Sequence, residues 1–427
     1  MNISKLNIDS YKHLQNINFD FTYPEGHKKE GQSLNKICII GQSATGKTSI
    51  LELIKTSISY LNEVEIINNN FFFNHFNSDF NGEIEFFSKD LKIQLTKRSI
   101  TYNGRKINYD TGIGGSVTKL INDVTKLLYL SSDLISTEAI NIFNQNPLSI
   151  LNELSFEKNA ELKKKFADTS YIYQFGQEVN SEIWFSLLYK ILDYRKRFTQ
   201  MASELINKGA IGDLTKLNKE YNKWSENNEN PLVSFANYFN PILKKLNLEV
   251  DLINTEYTIP IKSGYNDETI PISNLSTGTK GLLLSMFPLY ELDTTDSIIL
   301  VDEPERSLFP DMQIDLISHY QNLAPNAQLI VATHSPFIAA AFEPEERFIL
   351  YFNENGKVAV RKGESPIGDD PNDILRNDFN VEYYNDFGKK AYNKYLDLKR
   401  KVTLETEPYR KKKLVIELSE LGDKYNF

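Results

Sequence analysis

Cysteine is nearly absent from this sequence of 427 residues, in which Cys38 is the one residue of its type. A disulfide framework is therefore excluded, and Cys38, inside the apolar stretch KICII, is expected to be a small buried side chain. The sequence also lacks a run of roughly 18 apolar residues, the length that a membrane-spanning helix needs. The N-terminus, MNISKLNIDSYK, has no apolar segment typical of a secretion signal. We expect a cytoplasmic protein without a membrane partner.

Positive charge is scarce relative to negative charge. The 48 Lys and Arg side chains stand against 57 Asp and Glu, which gives a net charge of −9. Such a chain is not a general coat for nucleic acid, although a local basic surface is compatible with it. Hydrophobic residues make up 41% and aromatic residues 12% of the sequence, which excludes a disordered protein. The length indicates two or three domains, or one large domain with an insertion.

The patterns along the chain predict an α/β protein. The alternating segments 3–22 and 82–107 predict an antiparallel β layer, with Asn103-Gly104 as a hairpin turn. Continuous apolar runs predict strands buried on both faces, and the final alternating segment, 347–362, predicts a terminal hairpin. The alternating segments are 3–22, 82–107, 247–262 and 347–362, and the apolar runs are 36–40, 126–133, 297–301 and 327–333.

Helical periodicity dominates four parts of the chain. A helix is predicted from Lys47 to Ile58 and another near 311–323. Residues 137–245, including the stretch 159–205, are typical of a helical insertion, and no heptad repeat is sustained long enough for a coiled-coil arm. The tail, 371–427, is predicted to be helical and charged. No internal repeat or low-complexity segment interrupts this order.

The strongest chemical signal is the segment GQSATGKT, which fits the P-loop pattern GxxxxGK[ST] between a strand and a helix. Its backbone amides and glycines form a nest for phosphate at a helix N-terminus. Lys47 is expected to reach the β- and γ-phosphates of ATP, and the Thr48 hydroxyl to bind Mg²⁺. The predicted nucleotide-binding residues are Gly41, Gln42, Ser43, Ala44, Thr45, Gly46, Lys47, Thr48 and Ser49.

Two further strands end in residues suited to phosphate chemistry. The strand SIILV delivers Asp302 and Glu303 at its tip. We expect Asp302 to hold Mg²⁺ and Glu303 to polarise the attacking water. The strand LIVAT delivers His334, which is expected to monitor the γ-phosphate from a neighbouring position.

The loop LSTGTK, residues 275–280, narrows the class of nucleotide-binding protein. It resembles the signature motif LSGGQ of ABC-type ATPases, including the SMC, RecF and OLD-like branches, with Thr277 and Thr279 as departures. The resemblance implies that Ser276 and Gly278 bind the γ-phosphate held by a second subunit, so the protein is expected to form at least an ATP-bridged homodimer. It also implies an ABC-ATPase head made of an N-terminal lobe (1–136), the helical insertion (137–245), a C-terminal lobe (246–362) and a helical tail (363–427).

Other segments support the resemblance or depart from it. The segment ERSLFP, 305–310, is similar to the D-loop E-x-x-LHP of the OLD and RecF-like branch, with Phe309 in place of histidine. The N-terminal hairpin resembles that of SMC-like heads and places Tyr11 and Lys12 where a nucleotide contact often lies. The glutamine of the Q-loop is missing from the end of the strand at 126–133. Ser131, Ser132 or Asp133 is the expected substitute, and Gln145 and Gln174 are not favoured.

The biological role has several interpretations. The chain resembles the ATPase subunits of antiphage systems such as Septu and PARIS, which implies a sensor and scaffold that gates a separately encoded nuclease or toxin. The main alternative is a RecF-like or SMC-like ATPase that clamps or repairs DNA. Candidate basic contacts for that role are 163–165, 195–197, 399–401 and 410–413. An OLD-type nuclease built around Asp369, Asp370 and Asp373 and a transporter ATPase are the remaining alternatives.

Overall fold

The structure is a computed structural model that describes most of the chain, including the P-loop and the other predicted nucleotide-binding motifs, whereas Asn103 of the predicted hairpin turn lies outside the described residues. The residues outside the description are 64, 68–69, 73–75, 77–78, 89–90, 103, 109–116, 120–125, 136, 148–149, 151–171, 177–180, 210–211, 382–383 and 426. The described strands are β1 (Asn2–Tyr11), β2 (Leu14–Asp20), β3 (Lys36–Gly41), β4 (Glu65–Ile67), β5 (Asn70–Phe72), β6 (Asn81–Ser88), β7 (Leu91–Thr96), β8 (Ser99–Tyr102), β9 (Arg105–Asn108), β10 (Val117–Lys119), β11 (Lys126–Leu130), β12 (Ile172–Phe175), β13 (Leu248–Val250), β14 (Ile261–Ser263), β15 (Thr269–Ile270), β16 (Ser297–Asp302), β17 (Gln328–Thr333), β18 (Arg347–Phe352) and β19 (Val358–Lys362).

Helices of very different lengths connect these strands. The described helices are α1 (Lys47–Glu63), α2 (Thr137–Asn144), α3 (Ser181–Asn207), α4 (Leu214–Ser225), α5 (Pro231–Leu243), α6 (Thr277–Glu291), α7 (Pro310–Ile314), α8 (Leu316–Leu323), α9 (Pro336–Ala339), α10 (Pro371–Asn377), α11 (Asp386–Leu404) and α12 (Pro408–Tyr425). Within the described ranges, no helix has the length and apolar character required to cross a membrane.

A seven-stranded central sheet organises the molecule, in the order β12-β11-β16-β17-β3-β18-β19. Its strands are parallel except for β19, which forms the predicted terminal hairpin with β18. Asp302 pairs with Ala332, and Thr333 pairs with Ile40, so the carboxyl ends of β16, β17 and β3 align. This is the edge at which ligands bind in open α/β sheets.

Each face of the central sheet carries its own hydrophobic core. Ile37 and Ile39 point into a core formed with α1 and the N-terminal strands, whereas Cys38 and Ile40 point into a core formed with α3, α5, α6 and α8. The alternation follows from the period of two along a strand. It explains why the β3 sequence is apolar without interruption, and it confirms that Cys38 is buried.

The predicted antiparallel layer is a six-stranded sheet in the order β2-β1-β6-β7-β8-β9. One buried side chain, Gln328 at the start of β17, connects it to the central sheet. The Gln328 amide donates to the carbonyl oxygens of Ile3 at 2.9 Å and Leu34 at 2.8 Å, and its Oε1 accepts from the Ile3 amide at 2.8 Å. All of these groups are buried, so each bond is costly to leave unmade.

One secondary-structure prediction needs correction. The helical prediction for 159–205 is wrong at β12, a strand that pairs in parallel with β11 and extends the central sheet. The aromatic sequence IYQF packs into the edge of the sheet, so tertiary pairing overrides the local period. The alternating segment 247–262 is two short strands, because the Asp251 carboxylate accepts bonds from the amides of Ile253 and Asn254 and turns the chain between them.

The tail is helical in its described residues, as predicted. The paired acids considered for a nuclease lie at the start of α10, where the Asp370 carboxylate accepts from the Asn372 amide at 2.7 Å and caps the helix. The α/β class, the mixed sheet with an antiparallel layer and the helical tail are thereby confirmed. The four domain boundaries stay a prediction.

Candidate nucleotide site

The P-loop lies between β3 and α1, and its backbone needs small residues. Ala44 and Gly46 have φ angles of +65° and +94°, in the left-handed region that glycine tolerates best. A Cβ atom on Gly46 would lie 2.9 Å from Leu14 Cδ2, and one on Gly41 would lie 2.8 Å from the Leu350 carbonyl oxygen. Both glycines are therefore required by the packing around the loop.

Lys47 directs its ammonium group into the concave side of this loop. Its Nζ donates to the carbonyl oxygens of Gly41 at 3.0 Å and Gln42 at 3.3 Å, and lies 2.8 Å from His334 Nε2. Burial lowers the pKa of Lys47, and nearby carboxylates led by Glu303 oppose that shift. An oxygen of a bound anion can replace these acceptors and balance the charge of the buried Lys47 ammonium group.

Thr48 and Asp302 meet at the other side of the loop. The Thr48 hydroxyl donates to Asp302 Oδ2 at 2.8 Å. Asp302 Oδ1 is buried and has no hydrogen-bond partner among the described residues. Burial raises the pKa of Asp302, and the bond from Thr48 opposes that rise. A cation at Oδ1 would satisfy the unpaired carboxylate oxygen, so the donor set fits Mg²⁺, which takes one or two carboxylates and completes its shell with phosphate and water.

Glu303 and His334 lie beside Lys47. Glu303 has a φ angle of +49°, which is unusual for a glutamate, and its Oε1 lies 3.3 Å from His334 Nε2. Burial and the Lys47 charge lower the pKa of His334. A neutral imidazole is therefore the state in which Nε2 accepts the bond from the lysine ammonium.

Glu305 is a positioning residue that sequence reasoning placed only in the D-loop segment. Its Oε1 accepts from the Thr333 hydroxyl and from the His334 amide, both at 2.7 Å. Burial raises the pKa of this carboxyl, and those two bonds lower it. Glu305 thus fixes the tip of β17, which carries His334. The single sequence signal for this role was an acid placed shortly after a strand end.

The predicted signature residues form the start of α6. Ser276 caps the helix, with its hydroxyl accepting from the Thr279 amide at 3.2 Å. A Cβ atom on Gly278 would lie 2.2 Å from the Ser307 carbonyl oxygen, so the helix start rests directly on the segment after Glu305. Among the described residues, no hydrogen bond joins Ser276 or Gly278 to the P-loop of the same chain.

The end of β11 forms a polar cavity of about 500 Å³ beside Thr48 and Asp302. Asp133 lines it, and its carboxylate forms an ion pair with Arg306. Gln174, which the sequence did not favour, lines it from β12 and accepts a bond from Lys55 Nζ of α1 at 2.7 Å. The helical prediction at 159–205 did not place Gln174 on a strand beside β11.

The remaining predicted residues are close to the loop. Ser49 accepts a hydrogen bond from Lys12 Nζ at 3.3 Å, and Lys12 also forms an ion pair with Glu52 at 2.8 Å. Ser43 is exposed at the tip of the loop, and Tyr11 is buried. The structure therefore brings Lys12 to the first turns of α1, whereas the Tyr11 ring is buried.

The chain belongs to the AAA ATPase domain family, whose model matches residues 1–339. It is thus an ATPase. It is also similar to the Retron Vc95 probable ATPase of Vibrio cholerae serotype O1 biovar El Tor, with 24% identity over 426 residues that cover 88% of this chain and 80% of that protein.

Solved structures of SMC heads overlap with the chain at low identity. The SMC head domain from Thermotoga maritima has a TM-score of 0.40 and 12% identity, and covers 86% of this chain and 100% of its own. An SMC head bound to the C-terminal winged-helix domain of ScpA has a TM-score of 0.41 and 14% identity, with 85% and 97% covered. An SMC head with an extended coiled coil, bound to the C-terminal domain of ScpA derived from Pyrococcus furiosus, has a TM-score of 0.39 and 14% identity, with 84% and 96% covered.

Proposed function

We propose that this ATPase binds ATP and Mg²⁺ at the P-loop and hydrolyses ATP between two copies of the chain. The observation that carries the proposal is the hydrogen bond from Thr48 to the buried Asp302, which leaves one carboxylate oxygen of Asp302 without a partner beside the phosphate nest. Mg²⁺ supplies charge neutralisation for the phosphates there.

The protein residues divide the remaining tasks. The P-loop amides and Lys47 hold the phosphates, while Thr48 and Asp302 hold the metal. Glu303 orients and polarises the attacking water, because its carboxylate lies at the tip of β16 on the side of His334. His334 senses the γ-phosphate, since the lysine that it contacts is the one that reaches for that group. Catalysis is then mainly positioning and electrostatics.

A second copy completes the site in this proposal. Ser276 and Gly278 make no hydrogen bond to their own P-loop in the described residues, yet they present a helix N-terminus that attracts phosphate. The adjoining Phe309 is 74% exposed. A facing copy would cover Phe309 and place the two small residues over the γ-phosphate of its partner.

Substitution of Glu303 by glutamine tests the catalytic role. Glu303→Gln is expected to retain ATP binding, to lose hydrolysis and to accumulate an ATP-dependent dimer, as measured by light scattering with and without ATP. Glu354→Gln makes the same chemical change at an exposed turn and serves as the control. Hydrolysis by Glu303→Gln at the control rate would refute the role of Glu303.

We further propose that the ATPase gates a separately encoded effector, a nuclease or toxin, in antiphage defence in the cytoplasm. The similarity to a retron ATPase supports this context. Tagged Glu303→Gln, purified from cells that carry the native flanking genes, is expected to retain a stoichiometric second protein. Retention of DNA without a protein partner would favour the alternative, an ATPase that clamps or repairs DNA.

A further inference from the structure

The last two helices form an antiparallel hairpin whose packing is mainly internal. Lys394 Nζ on α11 lies 3.0 Å from Glu417 Oε1 on α12, and a Cβ atom on Gly422 would lie 3.5 Å from the Tyr395 ring. None of the residues of α12 is buried. The hairpin is therefore an exposed element whose two ends are chemically distinct.

The base of the hairpin is aromatic. Phe427 contacts the rings of Tyr384, Tyr392, Tyr395 and Tyr425 at centroid distances of 5.3 to 5.6 Å. Such edge-to-face and stacked pairs stabilise a small interface beyond the area that they bury. The base is thus a satisfied packing site, and the free surface lies towards the connection between the helices.

The tip of the hairpin is strongly basic. Residues 399–413 contain seven Lys or Arg and two Glu side chains, a net charge of +5 in a chain whose total is −9. The seven cations are all exposed: Lys399, Arg400, Lys401, Arg410, Lys411, Lys412 and Lys413. Because the Lys394–Glu417 pair centres the hairpin on its connecting loop, the two basic runs lie at the same level on adjacent helices.

Among the described residues, the basic run 195–197 does not form a comparable surface. Arg195 is buried and donates to the Asn254 carbonyl oxygen at 2.6 Å, and Arg197 pairs with Asp193. Lys163 to Lys165 lie outside the described residues. At the tip, Lys401 pairs with Asp397 and Arg410 with Glu407, which leaves most of the cations available to an external anion.

We propose that the tip of this hairpin is a binding site for the phosphate backbone of a nucleic acid. A cluster of cations on an otherwise acidic protein attracts a polyanion and releases its counterions. The acidic remainder of the protein repels the nucleic acid, so binding is limited to the basic tip.

Exposed apolar side chains within the patch favour an unpaired strand over a duplex. Tyr409 is 76% exposed and directly precedes the second basic run, and Leu404 is 73% exposed on the other side of the loop. An exposed tyrosine among cations is the combination by which proteins stack on the bases of single strands while holding their phosphates. A duplex offers phosphates but no free base faces to Tyr409.

Fluorescence anisotropy of the full chain without nucleotide tests the site, with labelled single-stranded DNA, single-stranded RNA and duplex DNA as probes. Wild-type protein is expected to bind the single strands with a steep salt dependence. Lys411→Gln, Lys412→Gln and Lys413→Gln together are expected to weaken binding by about tenfold or more and to reduce the log–log salt slope by about 2. Tyr409→Ala is expected to weaken binding to single strands but not to duplex.

The matched control replaces three exposed lysines of α4, Lys216, Lys219 and Lys223, by glutamine. Wild-type affinity in the tip variant, equal loss in the control, or no binding of any probe at 50 mM salt would overturn the proposal. Loss of a co-purifying acidic protein from the tip variant, without a change in nucleic-acid binding, would overturn it in favour of a protein contact. The ATPase rate of each variant is measured in parallel, so a failure of the ATP-bridged dimer is distinguished from a failure of this site.

Discussion

Gly278→Ala is the substitution for which the structure gives the sharpest functional expectation. The added Cβ would lie 2.2 Å from the Ser307 carbonyl oxygen, a contact with backbone rather than with a flexible side chain. Restoring an ordinary contact needs a separation of roughly 1 Å between the start of α6 and the segment after Glu305. Misplacement of about 1 Å in a catalytic surface can lower the rate by about 10²-fold. We therefore expect ATP hydrolysis to fall by roughly 10- to 100-fold.

Gly281→Ala, in the same helix, is the matched control. Its Cβ would meet Ile135 Cδ1 at 3.8 Å, an ordinary contact, and it gains the same helix propensity of about 1 kcal/mol. Steady-state ATPase kinetics, nucleotide affinity and thermal unfolding are measured for both variants. Nucleotide affinity of the monomer is expected to be unchanged in both variants, because Gly278 makes no hydrogen bond to the P-loop of its own chain. Equal ATPase rates for the two variants would refute the reasoning.

Three other predictions follow from buried or exposed groups. Because the pKa of His334 is lowered, its imidazole is neutral at pH 7. ATPase activity is therefore expected to fall only when the pH drops below the usual histidine pKa of about 6.5. The pH–rate profile of His334→Ala should lack this loss of activity at low pH. Arg347 and Asp378 form a fully buried ion pair at 3.0 Å, so Asp378→Ala is expected to lower the free energy of unfolding by about 3–5 kcal/mol, as measured by denaturant unfolding. Replacing both partners, with Arg347→Met and Asp378→Leu, should recover most of that stability. A double variant no more stable than Asp378→Ala would contradict this expectation. Phe309→Ala is expected to weaken the ATP-dependent dimer by about 1.5–3 kcal/mol per copy, as measured by sedimentation velocity. An unchanged dimer dissociation constant would contradict this expectation.

The sequence was informative where side chains and backbone pattern agree. An uninterrupted apolar run followed by a polar tip predicts a buried parallel strand with its functional residue at the carboxyl edge. This reasoning placed the P-loop after β3, Asp302 and Glu303 after β16, and His334 after β17, and the structure brings them to one edge. Parallel strands align their carboxyl ends, so residues that follow these strands can be predicted to lie close together whatever their separation in the sequence.

The features that sequence reasoning missed depend on long-range pairing. Strand β12 has a short aromatic sequence within a region of helical period, and only pairing with β11 defines it. Gln174 reaches the polar cavity through that pairing, and Gly176 permits it, because a Cβ there would lie 2.6 Å from Ser131 Oγ. The ion pair between Asp133 and Arg306 joins residues distant in the chain, for which no local pattern exists.

The hydrogen bonds of Gln328 have a consequence for movement within the ATPase. The Gln328 side chain bonds backbone groups of two other segments, and its bonds to Ile3 fix the position of β17 relative to the N-terminal layer. Rotation between these parts would break the two buried hydrogen bonds between Gln328 and Ile3. We therefore expect β17 and the N-terminal layer to move as one unit during nucleotide turnover.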